Sequence, residues 1–268
     1  MMSFFTFKLL AAVLLFIVTL GAGWLPFIKR IKAPISTNFP SGEALACGVF
    51  LGVGLLHMLP DAAEGFASAG LAYPIAALIA GGMFLFLLWL EHLGRDYYQF
   101  QSAHEQNVSE HQQGHGCCSH GKSFALIAFA MLSLHAFLES TALGLSQDFS
   151  IIFMLALAIF AHKWAESFAL AIQLTKSALS SKMAIIYFLL FALVAPAGVL
   201  LGDYVSENIP QLPLLGPTFL ALAAGTFLYL GTLHGLSRAV MVQHCCNLKQ
   251  YTFVIIGFAL MAIVAIWA

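Results

Sequence analysis

Residues 123–145, SFALIAFAMLSLHAFLESTALGL, and residues 150–175, SIIFMLALAIFAHKWAESFALAIQLT, are two long apolar runs with only four residues between them. Each run is longer than the roughly 20 residues that an α-helix needs to cross a bilayer. Each run also carries one His and one Glu, four positions apart. Ionisable residues inside a membrane span are costly, and by default they mark a site or a pathway. The two runs therefore predict a pair of transmembrane helices that carry function.

The composition of the whole chain also indicates a membrane protein. Of its 268 residues, 61% are hydrophobic and only 9% are charged, and the net charge is −1. Soluble domains contain about 25% charged residues, and a soluble fold of this length could not bury so much apolar surface. The near-zero charge offers no basic field for a polyanion. The composition therefore excludes a soluble enzyme, a disordered chain and a nucleic-acid-binding protein.

Eight apolar runs can be delimited by prolines, charged residues and polar stretches. Backbone groups in lipid must find partners within their own segment or barrel, and continuous runs favour helices over a barrel. We therefore predict an all-α protein that crosses the lipid bilayer eight times as a single domain, residues 1–268. The runs are residues 4–28, 42–63, 73–94, 123–145, 150–175, 183–203, 214–236 and 251–267.

The distribution of Lys and Arg predicts the orientation, because basic residues flanking a span favour the cytoplasmic side. With both termini outside, nine of the eleven basic residues fall in cytoplasmic segments, and the three outer loops contain none. Lys8 then lies near the outer boundary. Positive charge follows the first run at residues 29–32, which predicts a retained helix rather than a cleaved signal peptide. The small loops favour a plasma membrane or a bacterial inner membrane.

The one long loop, residues 95–122, is predicted to be cytoplasmic and polar. Its spacing of His and Cys matches no closed zinc module. Two interpretations stay open, a tolerated linker and a tract that collects metal ions weakly. Its candidate ligands are His104, His111, His115, Cys117, Cys118 and His120.

The two central runs share the pattern H-x-x-x-E. It occurs as His135 with Glu139, and again as His162 with Glu166. On a helix, positions i and i+4 share one face and lie about 6 Å apart along the axis. Because a short loop joins the runs, the two pairs can face each other at mid-membrane. A set of two His and two Glu suits Zn²⁺, and also Fe²⁺, Mn²⁺ or Co²⁺. The alternative is a pair of interhelical hydrogen bonds that only stabilise packing.

Further ionisable residues lie in three other runs. His57 and Asp61 are again four positions apart, and Glu64 follows near the outer end of the same run. We interpret His57 as an additional ligand and Asp61 as an entrance carboxylate. The alternative for His57 is a structural histidine whose hydrogen bonds are satisfied within the bundle. Glu91 and His92 end the third run and His234 ends the seventh at the cytoplasmic boundary, where they would be caps or exit-side residues.

Four segments together resemble the ZIP family of divalent-metal transporters. HAFLESTALGL (135–145) resembles the family's fourth helix, and HKWAESFAL (162–170) resembles its fifth. GVFLGVGLLHMLPD (48–61) and LAAGTFLYLGTLHGL (222–236) are similar to its second and seventh helices. The branch it most resembles has His-Lys in helix five.

This resemblance implies both a mechanism and a site. It implies import of a divalent metal ion, most of all Zn²⁺, with Fe²⁺, Mn²⁺, Co²⁺ or Cd²⁺ as other candidate substrates and no organic cofactor. Helices one, four, five and six would move against a scaffold of the other four, and an inverted repeat would relate helices 1–3 to 6–8. A homodimer is also implied. The family's primary-site positions fall on His135, Glu139, His162, Glu166 and His57.

The chain departs from the family pattern at several positions. Ala136 replaces a Ser or Asn, and Ser140 replaces a Gly. Lys163 stands where some members carry a carboxylate for a second metal, and His234 where a carboxylate is common. We therefore expect one metal ion at a time. Lys163 would act as a tethered cation beside the carboxylates of the empty site, or alternatively extend to the membrane boundary.

Two other functions are alternatives to a transporter. An intramembrane zinc-dependent hydrolase would use a Glu to activate water, but H-x-x-x-E lacks the H-E-x-x-H order of zincins. A metal-sensing or structural bundle leaves the additional carboxylates at Asp61 and Glu64 without a role. A transporter accounts for all of these residues, and the sequence holds no ATP-binding loop of the type G-x-x-x-x-G-K-[ST].

Overall fold

Eight helices make up the part of the chain that the structure describes, and that part contains no β-strand. The structure, a computed structural model, describes residues 3–32, 39–71, 73–106, 120–209, 212–234 and 248–266. The helices are α1 (Phe4–Lys32), α2 (Pro40–Ser68), α3 (Ile75–Gln106), α4 (His120–Leu145), α5 (Phe149–Lys176), α6 (Ser181–Asn208), α7 (Leu215–Tyr229) and α8 (Leu248–Val264).

Two helices contain or adjoin a π-helical turn. Residues Gly54–Met58 form such a turn inside α2, and residues Leu230–His234 continue α7 in the same conformation. Single π-helical turns inside α-helices are found frequently at functional sites. These two turns lie in the helices that the sequence singled out as the second and seventh of the resembled family.

The predicted all-α membrane fold is confirmed. Within the described ranges, α1 to α7 each contain a segment long and apolar enough to cross a membrane, and α8 is a shorter apolar helix. Two of the predicted breaks are helix N-caps. The carboxylate of Asp148 accepts hydrogen bonds from two backbone N–H groups of α5, and the hydroxyl of Ser180 accepts one from α6.

The predicted polar loop 95–122 is partly helical. Helix α3 continues to Gln106, and α4 already begins at His120. The segment from Arg95 to Gln106 contains no Gly or Pro, so nothing in its sequence ends the helix where the apolar run stops. Residues 107–119 lie outside the described residues.

The helices form two groups. Helices α1, α4, α5 and α6 pack against one another, and α2, α3, α7 and α8 form the second group. Contacts of α4 with α7 and of α2 with α5 join the groups. The main pairings correspond when α1–α3 are exchanged with α6–α8 and α4 with α5. The pair α4–α6 then becomes α1–α5, and α2–α8 becomes α3–α7, as expected of an inverted repeat.

Glycines set the close approach of helices within each group. A Cβ at Gly48 of α2 would lie 2.0 Å from the backbone oxygen of Val254 in α8. A Cβ at Gly202 of α6 would lie 2.3 Å from the backbone oxygen of Thr141 in α4. Small residues permit this backbone contact, which is the usual basis of helix association in lipid.

A buried ion pair joins three helices of the first group. Nζ of Lys8 in α1 lies 2.7 Å from Oδ1 of Asp203 in α6, and it also donates a hydrogen bond to the backbone oxygen of Gly144 in α4. Lys8, expected near the outer boundary, is buried with its partner at the end of the bundle where α4 ends.

Candidate metal centre

A buried cluster of four side chains lies where α4 and α5 face each other. One nitrogen or oxygen from each of His135, Glu139, His162 and Glu166 lies within 4.8 Å of the other three. All four side chains are inaccessible to solvent. We call these four residues the central cluster. The two H-x-x-x-E patterns in the sequence predict this convergence.

The cluster's ring nitrogens face the carboxylates of both helices. Nε2 of His135 lies 3.7 Å from Oε2 of Glu139 and 3.7 Å from Oε1 of Glu166. Nε2 of His162 lies 2.6 Å from Oε1 of Glu139 and 3.3 Å from Oε1 of Glu166. Ligand atoms at zinc–ligand distances of about 2.1 Å in a tetrahedron are about 3.4 Å apart. The four side chains therefore need only small shifts to hold a divalent ion.

Six nitrogen and oxygen atoms of the central cluster are buried without a hydrogen-bond partner. Two of these atoms, Nε2 of His162 and Oε1 of Glu139, contact each other as a close ion pair. Unpartnered polar atoms in a protein interior are rare and call for an explanation such as an ion. The six are Nε2 of His135, both Oε atoms of Glu139, both ring nitrogens of His162, and Oε1 of Glu166.

Lys163 provides a positive charge at the edge of the central cluster. Its Nζ lies 2.7 Å from Oε2 of Glu166, and the side chain is buried. The ammonium group also lies 5.3 Å from the ring centroid of Phe191 in α6. Lys163 therefore does not extend to the membrane boundary. It holds one oxygen of Glu166, while the other faces the cluster.

Helix α7 contributes contacts to the two histidines that the sequence patterns did not predict. Thr226 Oγ1 lies 2.6 Å from Nδ1 of His135, and the backbone oxygen of Ala223 lies 3.1 Å from the same nitrogen. The ring of Phe227 stacks on the ring of His135 and meets that of His162 edge-on. Thr226 inside the apolar run of α7 could have indicated a polar contact between helices. A single Thr in a helix, however, more often forms a hydrogen bond with a backbone oxygen of its own helix.

The structure places His57 on the π-helical turn of α2, outside the four-residue central cluster but near enough to interact electrostatically with His162 and Glu139. Nδ1 of His57 lies 3.1 Å from Oδ2 of Asp61, and His57 is buried whereas Asp61 is partly exposed. Glu64 is exposed one turn further along α2. The three residues thus mark a line along α2 toward its end at Ser68, with His57 the innermost.

The predicted exit-side residues are less fully described. Glu91 of α3 is buried. His234 ends the second π-helical turn, and its side chain is not among the described ones. His104 lies in α3 and His120 begins α4, again without described side chains. The remaining predicted ligands of the loop, at positions 111, 115, 117 and 118, lie outside the described residues.

Comparison with known proteins gives a consistent result over nearly the whole chain. A family model described as ZIP Zinc transporter matches residues 5–124 and 118–265. Zinc transporter ZIP2 of Mus musculus is 30% identical over an aligned length of 302 residues, and the alignment covers 95% of this chain and 96% of the relative. Zinc transporter ZIP2 of Homo sapiens is 30% identical over 84% of each chain. Zinc transporter ZIP1 of Takifugu rubripes is 26% identical over 95% of this chain and 96% of its own length.

The matched regions contain all eight helices and the central cluster. The family resemblance drawn from four sequence motifs is thereby confirmed. The chain is a multi-pass membrane protein that belongs to the ZIP zinc transporter family.

Proposed function

We propose that this protein carries Zn²⁺ across the membrane and that the central cluster binds the ion on the way. The main observation in support is that ligand atoms of four buried side chains lie within 4.8 Å of one another. These are His135, Glu139, His162 and Glu166. The ion would supply the partner that six buried polar atoms lack, and it would balance two buried carboxylates. Hydrogen bonding between the helices as packing alone leaves those atoms unpartnered.

Zinc is the proposed substrate because two imidazole nitrogens and two carboxylates suit a borderline cation. The names of the relatives support the same ion, since they are zinc transporters. Fe²⁺, Mn²⁺, Co²⁺ and Cd²⁺ are further candidates for a site of this composition. No organic cofactor is part of the proposal.

The alternative of an intramembrane zinc-dependent hydrolase is not retained. The chain belongs to a family of transporters, so it is not an enzyme. The chemistry agrees, because a catalytic zinc keeps an open coordination position for water. Four side chains already converge at the central cluster and exclude solvent from it.

The proposed path runs from outside to the cytoplasm. The ion would enter past Glu64 and Asp61, pass His57 as an additional ligand, and reach the central cluster. It would leave toward Glu91 and His234. The His- and Cys-bearing loop would then collect the ion on the cytoplasmic side. The decreasing exposure from Glu64 through Asp61 to His57 supports an entrance along α2.

The proposed movement is an elevator-type displacement of the first helix group. Both cluster-bearing helices, α4 and α5, belong to the group formed with α1 and α6. The buried ion pair of Lys8 with Asp203 ties α1 to α6 within that group. Displacement of this group as one body against α2, α3, α7 and α8 would carry the central cluster from one side toward the other.

Lys163 is proposed to replace the metal charge when the site is empty. Two carboxylates buried together in low dielectric repel each other, and the ammonium group already contacts Glu166. The empty carrier could then return without two uncompensated charges. The same positive charge would repel a second divalent ion, which leaves one ion per chain.

The remaining proposals concern assembly and location. The chain would reside in a plasma membrane or a bacterial inner membrane with both termini outside, as the distribution of basic residues predicts. A homodimer is proposed from the family resemblance alone.

The deciding experiment is zinc uptake into sealed proteoliposomes by the purified full-length protein. Alanine variants at each of the four cluster positions should lose about tenfold or more of the initial rate, because each removes a ligand. Asn208→Ala is the control, since Asn208 is exposed and donates a hydrogen bond to a backbone oxygen of its own helix. Two cluster variants with wild-type rates at equal incorporation would contradict the proposed site.

A further inference from the structure

We propose that Thr226 is a positioning residue that fixes the tautomer of His135 and so makes this histidine a zinc ligand. The inference rests on the proposed function of the central cluster. It concerns a residue on α7, in the other helix group, that lies outside the cluster and has no ligand role in the proposed path. Thr226 and His135 are both fully buried, so no solvent can substitute for their contact.

The hydrogen bonds around Thr226 have a defined direction. Its hydroxyl donates to the backbone oxygen of Ala223, 2.6 Å away on the same helix. A hydroxyl has one hydrogen to donate and two lone pairs to accept with. Toward Nδ1 of His135, at 2.6 Å, the Thr226 oxygen must therefore accept. The second neighbour of Nδ1, the oxygen of Ala223, can only accept.

These two acceptors require the hydrogen of neutral His135 to lie on Nδ1. The other nitrogen, Nε2, then carries a lone pair, and this is the atom that faces Glu139 and Glu166. A metal ion binds a ring nitrogen through that lone pair, and the hydrogen bond of the other nitrogen sets which one is available. In the opposite tautomer, Nε2 would carry a hydrogen and could not bind the ion.

Phe227 limits the orientation of the same ring. Its ring lies parallel to that of His135, with the centroids 3.4 Å apart and an interplanar angle of 17°. The stacking holds one face of the imidazole, and the hydrogen bond with Thr226 fixes its edge. Together they aim Nε2 into the cluster before any ion arrives.

The test measures zinc affinity of the purified full-length protein in detergent by isothermal titration. The background has Ser in place of the six His and Cys residues of the loop, so that only the helix bundle binds zinc. Thr226→Val keeps the shape but removes the hydroxyl, and Thr226→Ser restores it. We expect Thr226→Val to weaken binding about 10- to 100-fold and Thr226→Ser to stay within about threefold of wild type.

The matched control is Thr232→Val. Thr232 lies on the π-helical turn after α7, and its hydroxyl donates to a backbone oxygen of its own helix. This variant should bind zinc as the background does. Nitrogen-15 spectra of the histidine rings supply a second readout. They should show Nδ1-protonated His135 in the background and in Thr226→Ser, but a mixture of tautomers in Thr226→Val.

A double-mutant cycle separates positioning from general packing. If Thr226 acts through His135, then Thr226→Val should weaken binding no further in a His135→Ala protein. Equal affinity of Thr226→Val and the background would overturn the inference, as would full additivity with His135→Ala. If His135→Ala itself binds zinc as tightly as the background, the proposed site fails instead, so the two failures are distinguishable.

Discussion

Lys163 and Glu166 form an ion pair inside the membrane-spanning bundle, with Nζ 2.7 Å from Oε2 and both side chains buried. Because Glu166 belongs to the central cluster, the pair attaches Lys163 directly to that cluster. One oxygen of Glu166 contacts the ammonium group, and the other is 3.3 Å from Nε2 of His162. A lysine ammonium group thus lies at the edge of the cluster where a divalent cation is proposed to bind.

Lys163→Met should separate net transport from exchange. Without the ammonium group, the empty carrier would return with uncompensated carboxylates, and an unpaired buried charge costs several kcal/mol. Net zinc uptake should fall by about tenfold or more. Zinc-for-zinc exchange, which needs no return of the empty site, should be nearly unchanged. Both rates are measured in the same proteoliposomes, and an equal loss of both would contradict the proposed role.

Lys163→Glu should raise the number of zinc ions bound in the helix bundle from one toward two. The substitution removes the repelling charge and adds a carboxylate beside Glu166. Titration with the loop ligands replaced by Ser counts ions per chain, and Lys163→Met provides the charge-neutral comparison. Two ions already bound by the wild-type bundle would disprove the prediction.

A cross-link between α2 and α5 should arrest transport. Lys176 at the end of α5 forms an ion pair with Glu43 near the start of α2, and the two helices belong to different groups. The pair lies at the end of the bundle that is predicted to be cytoplasmic. In a background with Ser in place of the native cysteines, Glu43→Cys with Lys176→Cys joined by a short thiol reagent should stop zinc uptake.

The control for this cross-link joins residues within one group. The side chain of Gln147, between α4 and α5, donates a hydrogen bond to the backbone oxygen of Ser206 in α6. Gln147→Cys with Ser206→Cys, joined by the same reagent, should transport normally. Full activity of the cross-linked Glu43–Lys176 variant would show that this contact need not open.

Lys8→Met should destabilise the protein more than loss of both charges. The single variant leaves Asp203 buried without its cation, which typically costs about 3–5 kcal/mol. Adding Asp203→Leu removes the unpaired charge and should recover most of the lost thermal stability. Unfolding midpoints in detergent test this order, and a double variant less stable than Lys8→Met would refute it.

Gly48→Ala should weaken the packing of α2 against α8. The added Cβ would lie 2.0 Å from a backbone oxygen of Val254, which cannot rotate away. Overpacking of this kind typically costs about 1–3 kcal/mol. Gly81→Ala is the matched control, because a Cβ there meets no atom within 4 Å. Its midpoint of thermal unfolding should be unchanged or higher, since Ala favours a helix.

Local sequence patterns were sufficient to predict the helices and the residues of the central cluster. Asp148 and Ser180 ended apolar runs in the sequence, and both cap helices in the structure. The four-residue spacing of His135 and Glu139 places both side chains on one face of a helix, independently of how the rest of the chain packs. The prediction of a loop over residues 95–122 differs from the structure, in which α3 extends to Gln106. The fall in hydropathy at residue 95 marks the membrane boundary, but it does not by itself end a helix.

The sequence by itself therefore determined an all-α membrane protein with two His–Glu pairs at mid-span, since run length, composition and four-residue spacing are local properties. Only the tertiary structure decided which groups meet across helices. Lys8 contacts Asp203, which is 195 residues away in the sequence, and His135 contacts Thr226, which is 91 residues away. Such contacts depend on how each helix is rotated and shifted against its neighbours, and that is set by the packing of the whole bundle rather than by any one segment.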